Sequence, residues 1–311
     1  MADSAAVKHD YHLVKPSPWP LLGSIAMLVM VLGTAGMLKG LWFVPKDAWW
    51  GPVPGFIGLV FVLIGWWGDV LKESREGDHK EVVQISLRYG MVLFIASEVM
   101  FFVAWFWGFF EGAIFHELRA STQFDLANPD LENLKGWAQW PVTEIRKTAE
   151  GATEFAKTRP FDPFHLPLVN TLILLLSGTT VTWAHHALQT GDRNGAKWGL
   201  LLTIILGISF TALQVIEYGE AGFSYDGSLY GSAFFMATGF HGAHVIIGTL
   251  FLIVCLLRLM SGGMKPEKHL GFEFAAWYWH FVDVVWLFLF AFVYVAPYLV
   301  WGAGPAGGHG G

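Results

Sequence analysis

Residues 198–216 read WGLLLTIILGISFTALQVI, an uncharged run of 19 residues. A bilayer core of about 30 Å is crossed by about 20 apolar helical residues. In hydrocarbon every backbone group must be satisfied within its own segment, so such a run reads as a transmembrane helix. Six further charge-free runs flank it: Trp19–Leu38, Gly51–Leu71, Val82–Phe110, Leu166–Leu188, Tyr230–Leu257 and Phe272–Trp301. The predicted fold is an all-α polytopic membrane protein with seven transmembrane helices.

Composition agrees. Of 311 residues, 54% are hydrophobic and 14% are charged, against about a quarter charged in a soluble domain. The net charge is −6 and no polybasic stripe suits nucleic acid. One cysteine, Cys255, excludes an internal disulfide or a two-cysteine copper or zinc site. Residues 1–18 are polar and lack the layout of a signal peptide, so the first apolar run is expected to be retained.

Lysine and arginine set the expected orientation. With the N-terminus cytoplasmic, the inner segments hold Lys8, Lys15, Lys72, Arg75, Lys80, Arg88, Arg193, Lys197, Arg258, Lys265 and Lys268. The short outer segments hold Lys39 and Lys46, and the turn with Glu217, Glu220 and Asp226 has no cation. The C-terminus then lies on the far side. A long outer loop at about 116–165 separates spans three and four. Within it, Val142, Ile145, Ala149, Ala152 and Phe155 share a stripe at helical spacing, which predicts an amphipathic helix; a mobile loop is the alternative. Residues 302–311 are Gly-rich and are expected to be a disordered tail.

Two acids sit inside spans. Glu98 and Asp283 lie about ten residues from a span end, roughly mid-membrane at 1.5 Å per residue. A charged carboxylate there costs about 3 kcal/mol on insertion scales. Each should therefore face the protein interior with a partner, or carry a proton. A proton-linked site and a structural hydrogen bond between helices are both open. His241 and His244 share a face of span six, and His280 and Asp283 share one on span seven. Histidines converging from two helices could ligate haem or a metal. Helix histidines more commonly bond neighbouring helices, so these three, with Glu217, are read as polar helix contacts, and no metal or catalytic residue is assigned. Trp49, Trp50, Trp66 and Trp67 suit an interfacial belt.

Several long strings are more specific. Leu87–Phe102 (LRYGMVLFIASEVMFF), Thr182–His186 (TWAHH), Thr238–Gly248 (TGFHGAHVIIG) and Gly271–Trp286 (GFEFAAWYWHFVDVVW), with Trp66-Trp67 and Glu217-Tyr218, resemble cytochrome c oxidase subunit III in the right order. The resemblance runs from about Trp19 to Val295. It implies the non-redox subunit III of a proton-pumping aa3-type oxidase, beside catalytic subunit I and subunit II. Haem a, haem a3 and copper are then expected in the partners and none in this chain. Cytochrome c and a respiratory supercomplex would be met through the complex. It implies helices 1–2 (residues 19–71) set apart from helices 3–7 (residues 72–301) by a cleft holding phospholipids. The positions facing those headgroups match Trp66, Trp67, Glu73, His79, Arg258 and His269. Where many relatives have arginine, Lys72 keeps the charge and loses the bidentate fork. The outer insertion suggests a bacterial inner membrane with a periplasmic C-terminus. Three alternatives are a quinol oxidase subunit, a transporter with its site near Glu98 and Asp283, and a haem protein in its own right. The two N-terminal spans argue against the first. The absence of paired broken helices or an internal repeat argues against the second.

Overall fold

A computed structural model describes residues 11–12, 14–41, 43–123, 140, 145–147, 153–155, 160–225 and 229–302. Among the described residues, seven helices are long and apolar enough to cross a membrane, as the charge-free runs predict. They are α1 (Trp19–Lys39), α2 (Val53–Glu76), α3 (Glu81–Gln123), α4 (Leu166–Gln189), α5 (Arg193–Gly219), α6 (Leu229–Met260) and α7 (Leu270–Leu289). Two π-helical turns, Phe290–Val295 and Tyr298–Gly302, prolong α7. The helices outrun the apolar windows, most of all α3, which continues past Phe110 through Glu111. Charge ends a hydrophobic window, but it does not end a ladder of backbone hydrogen bonds. Breaks come where the backbone changes hand: Gly40 and Gly77 follow α1 and α2 at φ of 76° and 93°, which a Cβ would resist. At the start of α5, Asp192 accepts from the Gly195 N–H at 2.9 Å, a side-chain cap. In the same turn, Arg193 Nη1 donates to the carbonyl of Met264, beyond α6, and Nη2 to that of Leu259, in the last turn of α6.

Packing divides the chain into two units, Met1–Gly90 and Met91–Gly311. In the first, α1 and α2 meet through small residues. A Cβ on Gly55 would overlap the Met30 backbone, and one on Gly36 would lie 2.5 Å from Val44 Cβ. Lipid offers no hydrophobic drive between helices, so close backbone approach and a few hydrogen bonds hold them. One such bond runs from Trp19 Nε1 to Asp69 Oδ2 at 2.6 Å.

The second unit is built around α7. Trp279 Nε1 donates to Ser177 Oγ of α4 at 2.9 Å, and Trp286 Nε1 donates to Thr171 Oγ1 at 2.9 Å. Beyond the first π-helical residues, Tyr294 Oη donates to Glu217 Oε1 of α5 at 2.6 Å. These three aromatics are buried. The Trp279 ring lies in a slot cut by glycine: a Cβ would come within 2.7 Å of it from Gly207 on α5 and 2.9 Å from Gly248 on α6. Thr180 and Thr203 share a hydroxyl bond of 2.8 Å between α4 and α5. Buried indole and phenol groups thus find polar partners on two neighbouring helices, α4 and α5.

The amphipathic helix expected over Val142–Phe155 is replaced, in its described residues, by a short antiparallel ladder. β1 (Ile145–Lys147) pairs with β2 (Thr153–Phe155), with Ile145 opposite Phe155. Ile145, Thr153 and Phe155 are β-branched or aromatic and favour a pleated surface. The rest of that stretch, the first ten residues and 303–311, including most of the Gly-rich tail, lie outside the described residues. So does most of the outer loop, although Trp140 is described. It is buried against Phe109 and Tyr230, with ring centroids 5.3 Å away in each case.

Candidate functional site

Glu98 and His244 stand at the middle of their spans, Glu81–Phe115 and Leu229–Met260. The packing of α3 against α6 brings Glu98 Oε2 within 2.9 Å of His244 Nε2. The side chains are 23% and 12% exposed. His244 Nδ1 lies 2.6 Å from the Phe240 carbonyl, which only accepts, so Nδ1 carries a hydrogen. Nε2 then either accepts from a protonated Glu98 or donates, as imidazolium, to a carboxylate. Both states hold one proton between the two heavy atoms, and both are neutral overall. Rings of Phe102 and Tyr278 surround the imidazole, with centroids at 4.9 and 6.3 Å.

His280 and Asp283 make a second constellation, between α7 and α4. His280 Nδ1 is 3.7 Å from Asp283 Oδ2. Its Nε2 is 3.1 Å from Thr182 Oγ1, and that hydroxyl lies 2.9 Å from the Gly178 carbonyl, to which it donates. With the Thr182 hydrogen engaged there, His280 Nε2 is the donor toward Thr182. Asp283 reaches across to α4 because Gly178 has no side chain; a Cβ there would sit 2.5 Å from Oδ2. Asp283 Oδ1 is buried without a hydrogen-bond partner. A groove of about 440 Å3 opens beside it, walled by Leu175, Thr179, Val284 and Leu287.

The other acid, Glu217, is buried at the end of α5, held by Tyr294, with Oε2 unpartnered. Next to it in sequence, Tyr218 Oη donates to Thr238 Oγ1 at 2.7 Å, and Gln214 Nε2 donates to the Thr238 carbonyl at 3.3 Å. These bonds join α5 to α6. His241 Nε2 donates to the Val282 carbonyl at 3.1 Å, and its Nδ1 is buried without a partner. The structure therefore gives Glu98, Asp283, Glu217, His241, His244 and His280 each a neighbour on another helix. It brings Glu98 to His244, keeps His280 with Asp283, and leaves the two constellations on different helix pairs. Thr182 and Tyr294 were not foreseen, because their partners are 98 and 77 residues away. The one available signal was a hydroxyl inside an apolar run.

The residues matched to lipid headgroups fall in both units. In the first, Trp66 and Trp67 are exposed. Lys72 lies 4.0 Å from Glu76, and Glu73 lies 3.7 Å from His12. The His79 carbonyl accepts from Gln84 Nε2. In the second, His269 Nδ1 donates to the Pro266 carbonyl at 2.5 Å, its ring 5.3 Å from that of His185. Arg258 extends toward Gly271, whose absent Cβ would lie 3.0 Å from Nη1. Among the described residues no three His, Cys, Asp or Glu side chains gather as a metal site.

The family model for cytochrome c oxidase subunit III matches residues 9–125 and 149–302. The chain is 47% identical over 287 residues to cytochrome c oxidase subunit 3 of Coturnix japonica, covering 92% of this chain and 97% of that protein. It is 48% identical, with the same coverage, to the proteins of that name from Struthio camelus and Cyprinus carpio. Seven apolar helices, carboxylates at mid-span and a match across nearly the whole length agree: this chain is a multi-pass membrane protein of the cytochrome c oxidase subunit III family, a subunit of an oxidoreductase complex.

Proposed function

We propose that the chain is the non-redox subunit III of a proton-pumping aa3-type cytochrome c oxidase, sustaining proton uptake and the durability of catalytic subunit I. The haems a and a3 and copper belong to subunits I and II, and cytochrome c is reached through them. The observation that carries this reading is the Glu98–His244 pair. It is a neutral, one-proton contact in the middle of two spans, suited to holding helices together and to buffering a proton, with no electron to transfer. Helices α1 and α2 and the set Trp66, Trp67, Lys72, Glu73, His79, Arg258 and His269 serve bound phospholipid. Lys72 and Arg258 supply cations at helix ends, where phosphate is found. The setting is a bacterial inner membrane, with the N-terminus cytoplasmic and the C-terminus periplasmic; the cation asymmetry of the short connections supports that orientation. The unmatched stretch 126–148 between the two matched segments supports the bacterial setting.

Depletion tests the proposal. A complex stripped of this chain is expected to keep its haem spectrum and initial turnover, and to lose rapid proton uptake and lifetime under turnover. Loss of all haem signal while the catalytic subunit is still present would refute it. Copurification of haem and copper with a tagged chain tests the partners directly.

A further inference from the structure

The geometry points to a buried water site where α4, α5 and the first π-helical turn meet, held between Asn170 and Glu217. The inference needs only this chain's own residues and stands apart from the proposed function.

Unmet hydrogen bonds mark the place. Asn170 is 0% exposed and Glu217 is 1% exposed. Asn170 Oδ1, Asn170 Nδ2 and Glu217 Oε2 are buried and have no hydrogen-bond partner among the described residues. Asn170 is the one described side chain with two such atoms. A buried amide or carboxyl left dry is costly. The other carboxyl oxygen is served: the π-helical turn packs on α4 and brings Tyr294 Oη to Glu217 Oε1 at 2.6 Å. Turns of this kind are common at functional sites.

Register brings the two side chains together. A Cβ on Gly199 would meet Ala184 Cβ at 2.8 Å, and Thr180 bonds Thr203. From 184 to 180 on α4 the partner moves from 199 to 203 on α5, so the helices run antiparallel in step. Carried on at that step, Asn170 stands level with Leu213, and Glu217 stands level with Leu166, one turn along. Both residues belong to the buried face of their helix. A helical side chain leans toward the N-terminus of its own helix. On antiparallel helices, Asn170 and Glu217 therefore lean toward each other, and they make no direct bond.

Water suits what is left between them. It donates to a carboxylate or accepts from a carboxylic acid, and it bonds either end of an amide. Buried water commonly bridges polar groups that cannot reach one another. The depth also fits. Asn170 lies four residues into α4, about 6 Å, and Glu217 lies two residues from the end of α5, about 3 Å. Both are near the aqueous side, and acyl chains offer no polar group to satisfy them.

The test is a cryo-electron microscopy map of the intact complex at a resolution that shows ordered water. Density is expected within about 3.2 Å of both Asn170 and Glu217 Oε2. A dry site with both side chains ordered, or a direct Asn170–Glu217 bond, would overturn the inference. In Asn170→Leu the density should vanish while Tyr294 still bonds Glu217; its persistence would remove Asn170 from the site and overturn the inference as well. A variant cycle gives an independent reading. Asn170→Leu and Glu217→Leu each take away one holder of the water. In denaturant-induced release of the chain, the double variant should be less impaired than the two singles combined, by about threefold, the average worth of one interhelical hydrogen bond in a membrane. Strictly independent effects would overturn the link between the two residues.

Discussion

Replacing Glu98 separates two jobs that its carboxyl could do. In Glu98→Gln the amide can still donate to His244 Nε2 at a distance near the observed 2.9 Å, but the transferable proton is gone. In Glu98→Ala the acceptor or donor is removed altogether, and His244 Nε2 is stranded between the Phe102 and Tyr278 rings. An orphaned buried nitrogen costs about 1–3 kcal/mol. Interhelical bonds measured by double-mutant cycles in membranes average about 0.6 and reach about 1.7 kcal/mol. The pair is shielded and shares a proton, so its coupling belongs near the upper end of that range. We therefore expect Glu98→Gln to cost less than about 1 kcal/mol and Glu98→Ala about 2 kcal/mol. A cycle with His244→Phe should give a coupling of about 1–1.7 kcal/mol. The assay is denaturant-induced release of the chain from the purified complex, paired with protons pumped per electron in reconstituted vesicles. A coupling indistinguishable from zero would refute the structural role of the pair. Abolished pumping in Glu98→Gln with electron transfer intact would refute the expectation that its proton need not move.

Three further outcomes are expected. Gly248→Val places a branched side chain where a Cβ alone would sit 2.9 Å from the Trp279 ring; overpacking of about 1–3 kcal/mol should show as a lower midpoint of thermal release, and wild-type behaviour would mean the ring is mobile. Gly55→Leu in the first unit should part α1 from α2, read as loss of a disulfide engineered across that pair, while Gly68→Leu, with open space around its Cβ position, should leave it intact. Lys72→Ala combined with Arg258→Ala should lower the phospholipid bound per complex in native mass spectrometry, and an unchanged complement would count against the headgroup assignment.

Much of this architecture is legible in the sequence because one physical term dominates it. A charge inside hydrocarbon is so costly that the seven spans can be read from where charges are missing, and only their ends move when hydrogen bonds are counted. The site is legible in kind and not in pairing. A mid-span Glu98 needs a partner, but His244 lies 146 residues away, and nothing local chooses it over His241, one turn earlier. The segment Val142–Phe155 misleads for a different reason. A short stretch with apolar residues every three or four positions also alternates well enough to pair as strands, and β-branched residues then tip the balance. The lone threonines and glycines around Trp279 and Asp283 gave no warning, because their importance lies in what they leave room for.

The first π-helical turn after α7 has a bearing on chain length. Trp279 and Trp286 are seven residues apart, whereas Tyr294 follows Trp286 by eight. The N–H of Ala296 bonds to the carbonyl of Ala291, five residues back, and this wide turn absorbs the surplus residue. In an ordinary spanning helix, removing one residue swings everything downstream by about 100°. Here, deleting one residue within Phe290–Val293 would use up the surplus, restore an α-helical count, and leave the phenol over Glu217. The chain thus carries one place inside a membrane span where it can be shortened without losing register.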